Sequence, residues 1–176
     1  MRFDVSGPFT LKRHTPKKLI TKETLYTLEE EMEDWDEGLS RACGCYVVAT
    51  KAGRGFKPIY VGKSNKKTIA REALNASNQG KYNTELASAN GTPVLFAIPL
   101  LTAGGAYRKP KRADGTLDSV DFLENWLIIK AIEKNKRLLN NLQTRFLRNL
   151  HVVGVFNAKP GEASNASRGL GRALGI

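Results

Sequence analysis

The stretch GCYVVATKAGRGFKPIYVGKS, residues 44–64, contains two short apolar and aromatic runs on either side of a turn rich in glycine and cations. The runs at residues 43–50 and 57–61 are rich in β-branched and aromatic residues, and the KAGRGF segment between them predicts a β-hairpin. Each predicted strand carries one tyrosine, Tyr46 or Tyr60. Antiparallel pairing brings cross-strand neighbours within about 5 Å of each other. Packing alone explains this pair as well as a shared functional role does.

The hairpin stretch ends in Gly62-Lys63-Ser64, a tripeptide that also ends the phosphate-binding P-loop. The P-loop requires a glycine five residues before its second glycine, because its backbone curls around the phosphate groups. That position is Lys57 here, and no glycine of the turn has the required spacing. The sequence therefore excludes a P-loop.

Around the hairpin the sequence predicts helices and one further strand. Helical patterns lie before and after the hairpin, at residues 21–35 and 65–77, and TPVLFAIPLL predicts a buried strand. The strongest helical pattern lies at residues 117–137, where Asp118 or Ser119 can cap the first turn. An element order of β-β-α-β-α with an N-terminal helical extension therefore predicts one α/β domain.

Charge is unevenly distributed along the chain. The net charge is +11, but residues 1–40 hold six Lys and Arg against nine Asp and Glu, whereas the rest holds 22 against eight. We expect three segments: an extension with an acidic helix (1–40), a main domain (41–150) and a Gly- and Ser-rich basic end (151–176) that packs on or extends that domain. The basic field attracts polyanions, with nucleic acid as the first candidate and a generic basic surface or anionic lipid as alternatives.

The composition does not indicate a membrane or secreted protein. No run of 18 apolar residues is present, and MRFDVSGPFTLKRH lacks the apolar core of a secretory signal. Cys43 and Cys45 are too few for a disulfide framework, and their spacing from His14 and His151 fits no zinc template. We expect buried packing cysteines, a cytoplasmic location and no membrane partner.

One carboxylate lies at the edge of the apolar face of the last predicted helix. Val120, Leu127 and Ile128 contribute to this face, and Glu124 is four residues from both Val120 and Ile128. A half-buried carboxylate must be paired, have a raised pKa or bind a cation. In a basic segment that faces a polyanion, a bound divalent metal is one explanation, and a carboxylate that reaches water is the other.

These elements together resemble the GIY-YIG nucleases. GCY at residues 44–46 and YVG at residues 60–62 are similar to the two signature tripeptides of that family. The resemblance spans residues 44–140 and implies an α/β domain with a small central antiparallel sheet of three strands flanked by helices. It also implies hydrolysis of phosphodiester bonds with one divalent metal, Mg²⁺ or Mn²⁺. The further matching positions are, in chain order, Lys63, Arg71, Glu124 and Asn140.

The resemblance implies that Tyr46 is the general base that takes a proton from water, with Tyr60 supporting it and Lys63 close to the nucleophile. A free tyrosine has a pKa near 10 and is a poor base at neutral pH. We expect Lys63 and Arg71, together with the metal, to stabilise the phenolate and lower that pKa.

The remaining matches concern the phosphate and the metal. The resemblance implies that Arg71 holds the scissile phosphate, Glu124 binds Mg²⁺ and Asn140 braces the site. A guanidinium fork suits phosphate oxygens, and Mg²⁺ can be held by one carboxylate, a phosphate oxygen and waters. A constellation with one acid argues against a two-metal arrangement.

The sequence departs from the family pattern at several positions. Thirteen residues separate Tyr46 from Tyr60, a few more than usual, so we expect an enlarged hairpin turn. Many members carry His or Tyr one helical turn after the arginine, where this chain has Asn75, which leaves open whether Asn75 assists proton transfer. Arg71 itself lies one residue later than expected, and Cys45 replaces an aliphatic residue.

Other contacts to nucleic acid must come from the basic surface. AYRKPKRADG places an aromatic residue among cations on a long loop. This pattern suits stacking on a base and tracking of a phosphate backbone, and it suits a solvated linker equally well. The candidate contacts are Lys66, Lys67, Tyr107, Arg108, Lys109, Lys111 and Arg112, with Arg145, Arg148, Arg168 and Arg172 as weaker ones.

The first functional hypothesis is a Mg²⁺-dependent endonuclease acting on double-stranded DNA, of the restriction, defence or phage type, in which a homodimer would place one site on each strand. The second is a nucleic-acid-binding module that has kept the fold and lost turnover. A nuclease subunit of a repair complex is a third. The sequence does not separate DNA from RNA. One further hypothesis is that the acidic helix of residues 1–40 masks the basic face when no substrate is bound.

Overall fold

The predicted hairpin is present in the computed structural model, which describes residues 1–14, 16–111, 117–140, 145, 149–156 and 158–175. The backbone forms two compact units, Met1–Leu139 and Asn140–Ile176. The hairpin and all five strands belong to the first unit. In chain order the strands are β1 (Arg2–Phe3), β2 (Ser6–Thr10), β3 (Gly44–Ala52), β4 (Gly55–Ser64) and β5 (Thr92–Leu101).

All strand pairs are antiparallel, in the order β1-β5-β3-β4, and β2 also pairs with β5. The α/β class is therefore confirmed, but the expected three strands are wrong, because the sheet has five. The two additional strands come from residues 1–10, where we expected only a helical extension. They are too short to show an alternating pattern, and their pairing depends on the edge that β5 offers.

The register of the hairpin places its two tyrosines two positions apart along the ladder. Tyr46 pairs with Gly62, and Val48 pairs with Tyr60. The register shifts after Val48, where Ile59 forms a bulge. The pairing continues to Ala52 and Gly55, so the turn is only two residues long. The expected enlargement of the turn is wrong, because the extra residues lengthen the strands.

Among the described residues, five helices follow one another in chain order. They are α1 (Lys22–Trp35), α2 (Ile69–Ala73), α3 (Ala76–Leu86) and α4 (Asp118–Lys134) in the first unit, and α5 (Asn165–Leu174) in the second, with a short 3-10 turn at Leu39–Arg41. The predicted α1 and α4 are confirmed. Leu117 is the N-cap of α4, and no side chain caps it, so the predicted cap at Asp118 or Ser119 is wrong.

The four helices of the first unit form two layers, one on each face of the sheet. Leu28 of α1, Ile69 of α2 and Tyr82 of α3 share a core cluster with Tyr46 and Val48 of β3. Val120 of α4 forms a second cluster with Cys45, Ile98 and Leu100. Cys45 is next to Tyr46 in β3 and therefore points to the other face of the sheet. Because successive residues of a strand point to opposite faces, β3 is buried on both sides.

The single helix expected at residues 65–77 is instead two helices, α2 and α3, and α3 continues through NQGKYN. Asn75 interrupts the helical path, and its side-chain oxygen accepts a hydrogen bond from the backbone N–H of Asn78 at 2.9 Å. Asn75 is therefore the N-cap of α3, the position that asparagine favours. This break turns the start of α3 back onto the sheet.

In the second unit, Ser164 caps α5 by accepting a hydrogen bond from the backbone N–H of Ser167 at 3.1 Å. An isolated antiparallel bridge joins Val152 and Phe156. Over both units, the described part of the chain contains no helix that is long and apolar enough to cross a membrane.

Candidate active site

Three tyrosines pack together on the face of the sheet covered by α1, α2 and α3. The ring centroids of Tyr46 and Tyr60 are 6.1 Å apart, and those of Tyr60 and Tyr82 are 5.6 Å apart in an edge-on arrangement. Tyr46 is 1% exposed and Tyr82 is fully buried, whereas Tyr60 is only partly buried. We call Tyr46, Tyr60 and Tyr82 the aromatic cluster. The sequence predicted the first two members and missed the third.

Gly62 makes room for this cluster. The residue lies opposite Tyr46 in the hairpin, and the Tyr46 ring lies directly over its backbone. A Cβ at position 62 would overlap the ring and the hydroxyl oxygen of Tyr46. The glycine of the second tripeptide is therefore required by the close approach of the tyrosine of the first.

Two polar residues of α3 complete the cluster. Asn78 Nδ2 donates to the Tyr46 hydroxyl oxygen at 3.3 Å and to the backbone carbonyl of Glu72 at 3.0 Å. The Lys81 ammonium lies 5.4 Å from the centroid of the Tyr60 ring. Both residues belong to the stretch interpreted from sequence as a polar helix end. The i, i+3, i+4 spacing of Asn78, Lys81 and Tyr82 was the available signal for a helical face.

The face of β4 opposite the aromatic cluster carries charged side chains. Lys63, which pairs with Cys45, contacts two carboxylates of α4: Asp121 at 2.8 Å and Glu124 at 3.0 Å. Lys63 and Asp121 keep about a third of their side chains exposed, whereas Glu124 is 6% exposed. The predicted half-buried carboxylate is thus an almost fully buried one, paired to an ammonium. We call Lys63, Asp121 and Glu124 the ionic cluster.

Burial and the neighbouring charges both shift the pKa values of Glu124 and Lys63. Burial raises the pKa of Glu124, and the Lys63 ammonium opposes that rise. Burial alone would lower the pKa of Lys63, but its contacts with Asp121 and Glu124 give a net rise. The ammonium is therefore held charged between two carboxylates.

The two clusters are electrostatically linked. Burial raises the pKa of Tyr60, and the Glu124 carboxylate adds to the rise. Burial also raises the pKa of Tyr46 well above its usual value, with smaller contributions from Tyr82, Tyr60 and the nearby carboxylates, Glu124 among them. The expected lowering of the Tyr46 pKa is therefore not observed. Both hydroxyls are protonated at neutral pH and are hydrogen-bond donors.

Arg71 does not provide the expected cation beside the tyrosines. Its Nε donates to Glu29 of α1 at 2.8 Å, and its side chain is 64% exposed. The Glu29 carboxylate raises the pKa of Arg71, to which nearby Tyr26 contributes slightly. The predicted phosphate ligand thus lies at the surface, held by the acidic helix.

Asn75 has a structural role, and Asn140 belongs to the other compact unit. The Asn75 side chain is committed to capping α3 and donates to the Glu72 carbonyl at 2.9 Å. The asparagine that contacts the Tyr46 hydroxyl is Asn78. Asn140 is buried and is the first residue of the second unit, so it is not among the residues that the first unit brings together.

The predicted basic loop is more anchored than its sequence indicates. The Tyr107 hydroxyl donates to Asp36, and partial burial with this contact raises the Tyr107 pKa to about 12. The backbone of Arg108 bridges Leu100 and Cys43. Lys109 and Lys111 are exposed, and Arg112 lies outside the described residues.

The two lysines after the hairpin differ in their partners. Lys66 is exposed, whereas the Lys67 ammonium pairs with Glu72 at 3.4 Å. Among the weaker candidates, Arg145, Arg168 and Arg172 belong to the second unit, and Arg148 lies outside the described residues. Cys43 and Cys45 are buried, as expected, and form no disulfide, and burial raises the Cys45 pKa to about 12.

The ionic cluster offers the oxygen ligands that Mg²⁺ prefers. Asp121 and Glu124 are one helical turn apart and converge on a single cation, the Lys63 ammonium. Within the described residues no group of three or more potential ligand side chains is present. Mg²⁺ is commonly held by one or two carboxylates with substrate oxygens and waters, so this donor set fits the ion.

Comparisons with known proteins add no assignment. No family model matches the chain, and neither a curated protein nor a solved structure gave a match.

Proposed function

We propose that this protein is a metal-dependent endonuclease that hydrolyses phosphodiester bonds of DNA. The observation that carries the proposal is the buried carboxylate of Glu124, which influences the hydroxyls of both hairpin tyrosines and is held by Lys63. A buried carboxylate with a raised pKa and a specific charge partner is an arrangement that is common at functional sites. The basic surface supplies attraction for the polyanionic substrate.

Glu124 would hold the Mg²⁺ or Mn²⁺ ion, with Asp121 beside it. When bound, the ion supplies positive charge that stabilises the phosphate and the leaving oxygen. Asp121 gives the Lys63 ammonium a second partner, so Glu124 can exchange its contact for a metal without leaving that ammonium unpaired. This arrangement keeps Lys63 beside the reacting phosphate.

Tyr46 would exchange a proton with the attacking water. In the proposed reaction a water oxygen forms a bond to phosphorus and the bond to the 3′-oxygen breaks, which yields a 5′-phosphate and a 3′-hydroxyl. The proton of the water would pass to Tyr46, whose own proton must first be lost to solvent, and a solvent water would protonate the leaving 3′-oxygen. Asn78, donating to the Tyr46 oxygen, stabilises the phenolate more than the phenol.

A second candidate function is a nucleic-acid-binding module without turnover. The raised Tyr46 pKa and the engagement of Arg71 by Glu29 favour it, because both work against the two proposed catalytic roles. In this alternative the aromatic and ionic clusters stabilise the hairpin, and the basic surface binds the phosphate backbone. The two candidates differ in turnover and share nucleic-acid binding.

Cleavage of supercoiled plasmid DNA in Mg²⁺ or in EDTA tests the proposal, with Glu124→Gln as the variant. Glu133→Gln is the matched control, because it removes an exposed carboxylate of the same helix that pairs with Lys130. We expect Mg²⁺-dependent nicking by the wild type and the control, reduced by about 10³-fold in Glu124→Gln. Salt-sensitive DNA binding without nicking would support the binding module, and full activity of Glu124→Gln would remove Glu124 from the mechanism.

A further inference from the structure

The hairpin is a strongly basic element whose two ends differ in how their cations are paired. Residues 38–71 contain eight Lys and Arg and no Asp or Glu. Near the base of the hairpin, where Lys66 is exposed, the other four cations are paired with carboxylates from other segments. These pairs are Arg41 with Glu33, Lys63 with Asp121 and Glu124, Lys67 with Glu72, and Arg71 with Glu29.

The cations at the tip have no such partners. Lys51, Arg54 and Lys57 are all exposed, and no carboxylate of the described residues forms an ion pair with them. Three unneutralised charges around a two-residue turn form a local positive field. Cations of this kind bind phosphates by releasing counterions, which makes binding dependent on salt.

An exposed aromatic residue lies among these cations. Phe56 is 44% exposed, its ring contacts Phe96 edge-on at 5.2 Å between centroids, and the Lys51 ammonium is 5.9 Å from its centroid. Phe96 thus supports the Phe56 ring on one side, and the ring keeps part of its surface open to solvent. Aromatic rings in basic surfaces of nucleic-acid-binding proteins contact sugars and bases.

The geometry of the tip suits a groove of duplex DNA. Lys51 pairs with Phe56 across the hairpin, so both lie on one face, and the next residue, Lys57, points to the other. β5 pairs with β3 as far as Lys51, which lies opposite Thr92, so the part of the hairpin that extends beyond the sheet is the turn at residues 52–55. A turn flanked by cations on both faces can lie at the mouth of a groove and contact the phosphates of its two walls.

The tip lies at a defined distance from the proposed catalytic tyrosine. Tyr46 and Ala52 are six residues apart along β3, which corresponds to about 20 Å at about 3.3 Å per residue. The same length of duplex contains about six base pairs, at 3.4 Å for each.

We propose that Lys51, Arg54, Phe56 and Lys57 form a docking surface for double-stranded DNA at the tip of the hairpin. The identity of the ligand rests on the proposed function, whereas the surface itself rests on charge and geometry. The tip anchors the duplex about six base pairs from the site of cleavage and carries no catalytic group.

Binding of a 20-base-pair fluorescent duplex in EDTA, at several salt concentrations between 50 and 200 mM, tests this surface without any cleavage. The variant is Lys51→Ala/Arg54→Ala/Lys57→Ala. The control is Lys17→Ala/Lys18→Ala/Lys22→Ala, which removes the same charge from three other exposed lysines. We expect the slope of log K against log salt to fall by about three in the tip variant and by less than one in the control.

Phe56→Ala should weaken binding with an unchanged salt slope, because a ring contacts DNA without releasing counterions.

Equal effects of the tip variant and the control would overturn the proposal, as would tip-dependent binding to phosphatidylserine vesicles or RNA without binding to the duplex. Thermal melts verify folding, and Arg54→Glu against Lys18→Glu repeats the comparison with single changes. Tip-dependent binding without Mg²⁺-dependent nicking would retain this surface and reject the nuclease, so the two failures are distinguishable.

Discussion

The aromatic cluster and the ionic cluster lie on opposite faces of one short hairpin, and they differ in almost every physical property. The aromatic cluster is neutral, closely packed and formed from residues 46, 60 and 82. The ionic cluster consists of three charges and is only partly shielded from water. Adjacent residues of β4 serve the two clusters, since Gly62 accommodates the Tyr46 ring and Lys63 joins the carboxylates.

The two clusters therefore differ in which groups can change their protonation or their contacts. The aromatic cluster keeps its hydroxyls protonated because burial penalises the phenolate. The ionic cluster has one fixed cation and two carboxylates, so it can rearrange its contacts with little change in net charge. In the proposed reaction, the first cluster positions a proton acceptor and the second supplies the binding site for the metal.

The largest expected effect comes from removing one hydroxyl of the aromatic cluster. Tyr46→Phe should lower DNA cleavage by about 10³-fold with unchanged DNA affinity, because it removes the proposed proton acceptor and keeps the ring. Tyr82→Phe is the control, since it removes a buried hydroxyl of the same cluster that has no part in the proposed proton transfer. Single-turnover cleavage of a labelled duplex measures both, and equal losses would assign the tyrosines a packing role only.

The close approach of Tyr46 to the hairpin backbone predicts a loss of stability. Gly62→Ala should lower the free energy of unfolding by about 1–3 kcal/mol, because the added methyl overlaps the Tyr46 ring. Gly80→Ala in α3 is the matched control, since its Cβ would meet no atom within 4 Å. This control should raise stability by about 0.5–1 kcal/mol. Urea unfolding measures both changes, and an equal gain in both variants would contradict the observed packing.

Alkaline pH should destabilise the aromatic cluster. Its tyrosines have raised pKa values in the folded state, so their stabilising contribution is complete below about pH 10, the pKa of unfolded tyrosine. Above this pH the unfolded chain loses protons that the folded chain keeps. Stability should then fall by about 1.4 kcal/mol per pH unit for each such tyrosine.

Urea unfolding between pH 8 and 11 measures this decline, and tyrosinate absorbance reports the ionisation. Burial raises the pKa of Cys45 as well, so the informative quantity is the difference between wild type and Tyr82→Phe. The variant should have the shallower decline. Identical slopes would mean that Tyr82 ionises as it does in the unfolded chain.

The smallest expected effect concerns Arg71. Glu29→Gln removes its partner, and since the pair is exposed it should cost less than about 1 kcal/mol of stability. The freed guanidinium should raise DNA affinity by up to about fivefold, the factor that corresponds to this energy. Glu30→Gln, an exposed neighbour with the same charge change, should raise it less. Equal affinities in anisotropy titrations would show that α1 does not restrain Arg71.

The sequence determined the elements whose signals are local. Two runs of β-branched and aromatic residues and the turn between them predicted the hairpin, and helical periodicity placed Glu124 at the edge of a buried face. The order of these elements also predicted an α/β domain. These predictions were correct because strand alternation and helical periodicity depend on near neighbours in the chain.

Tertiary structure decided everything that depends on residues distant in sequence. Strands β1 and β2 exist because β5 provides an edge. Arg71 is held by Glu29, which is 42 residues away, and Asn78 reaches the Tyr46 hydroxyl across 32 residues. The rise in the Tyr46 pKa requires the burial that the packed helices create. Contacts and desolvation of this kind arise only when the chain has folded, because burial and charge act through space and have no signature in local residue order.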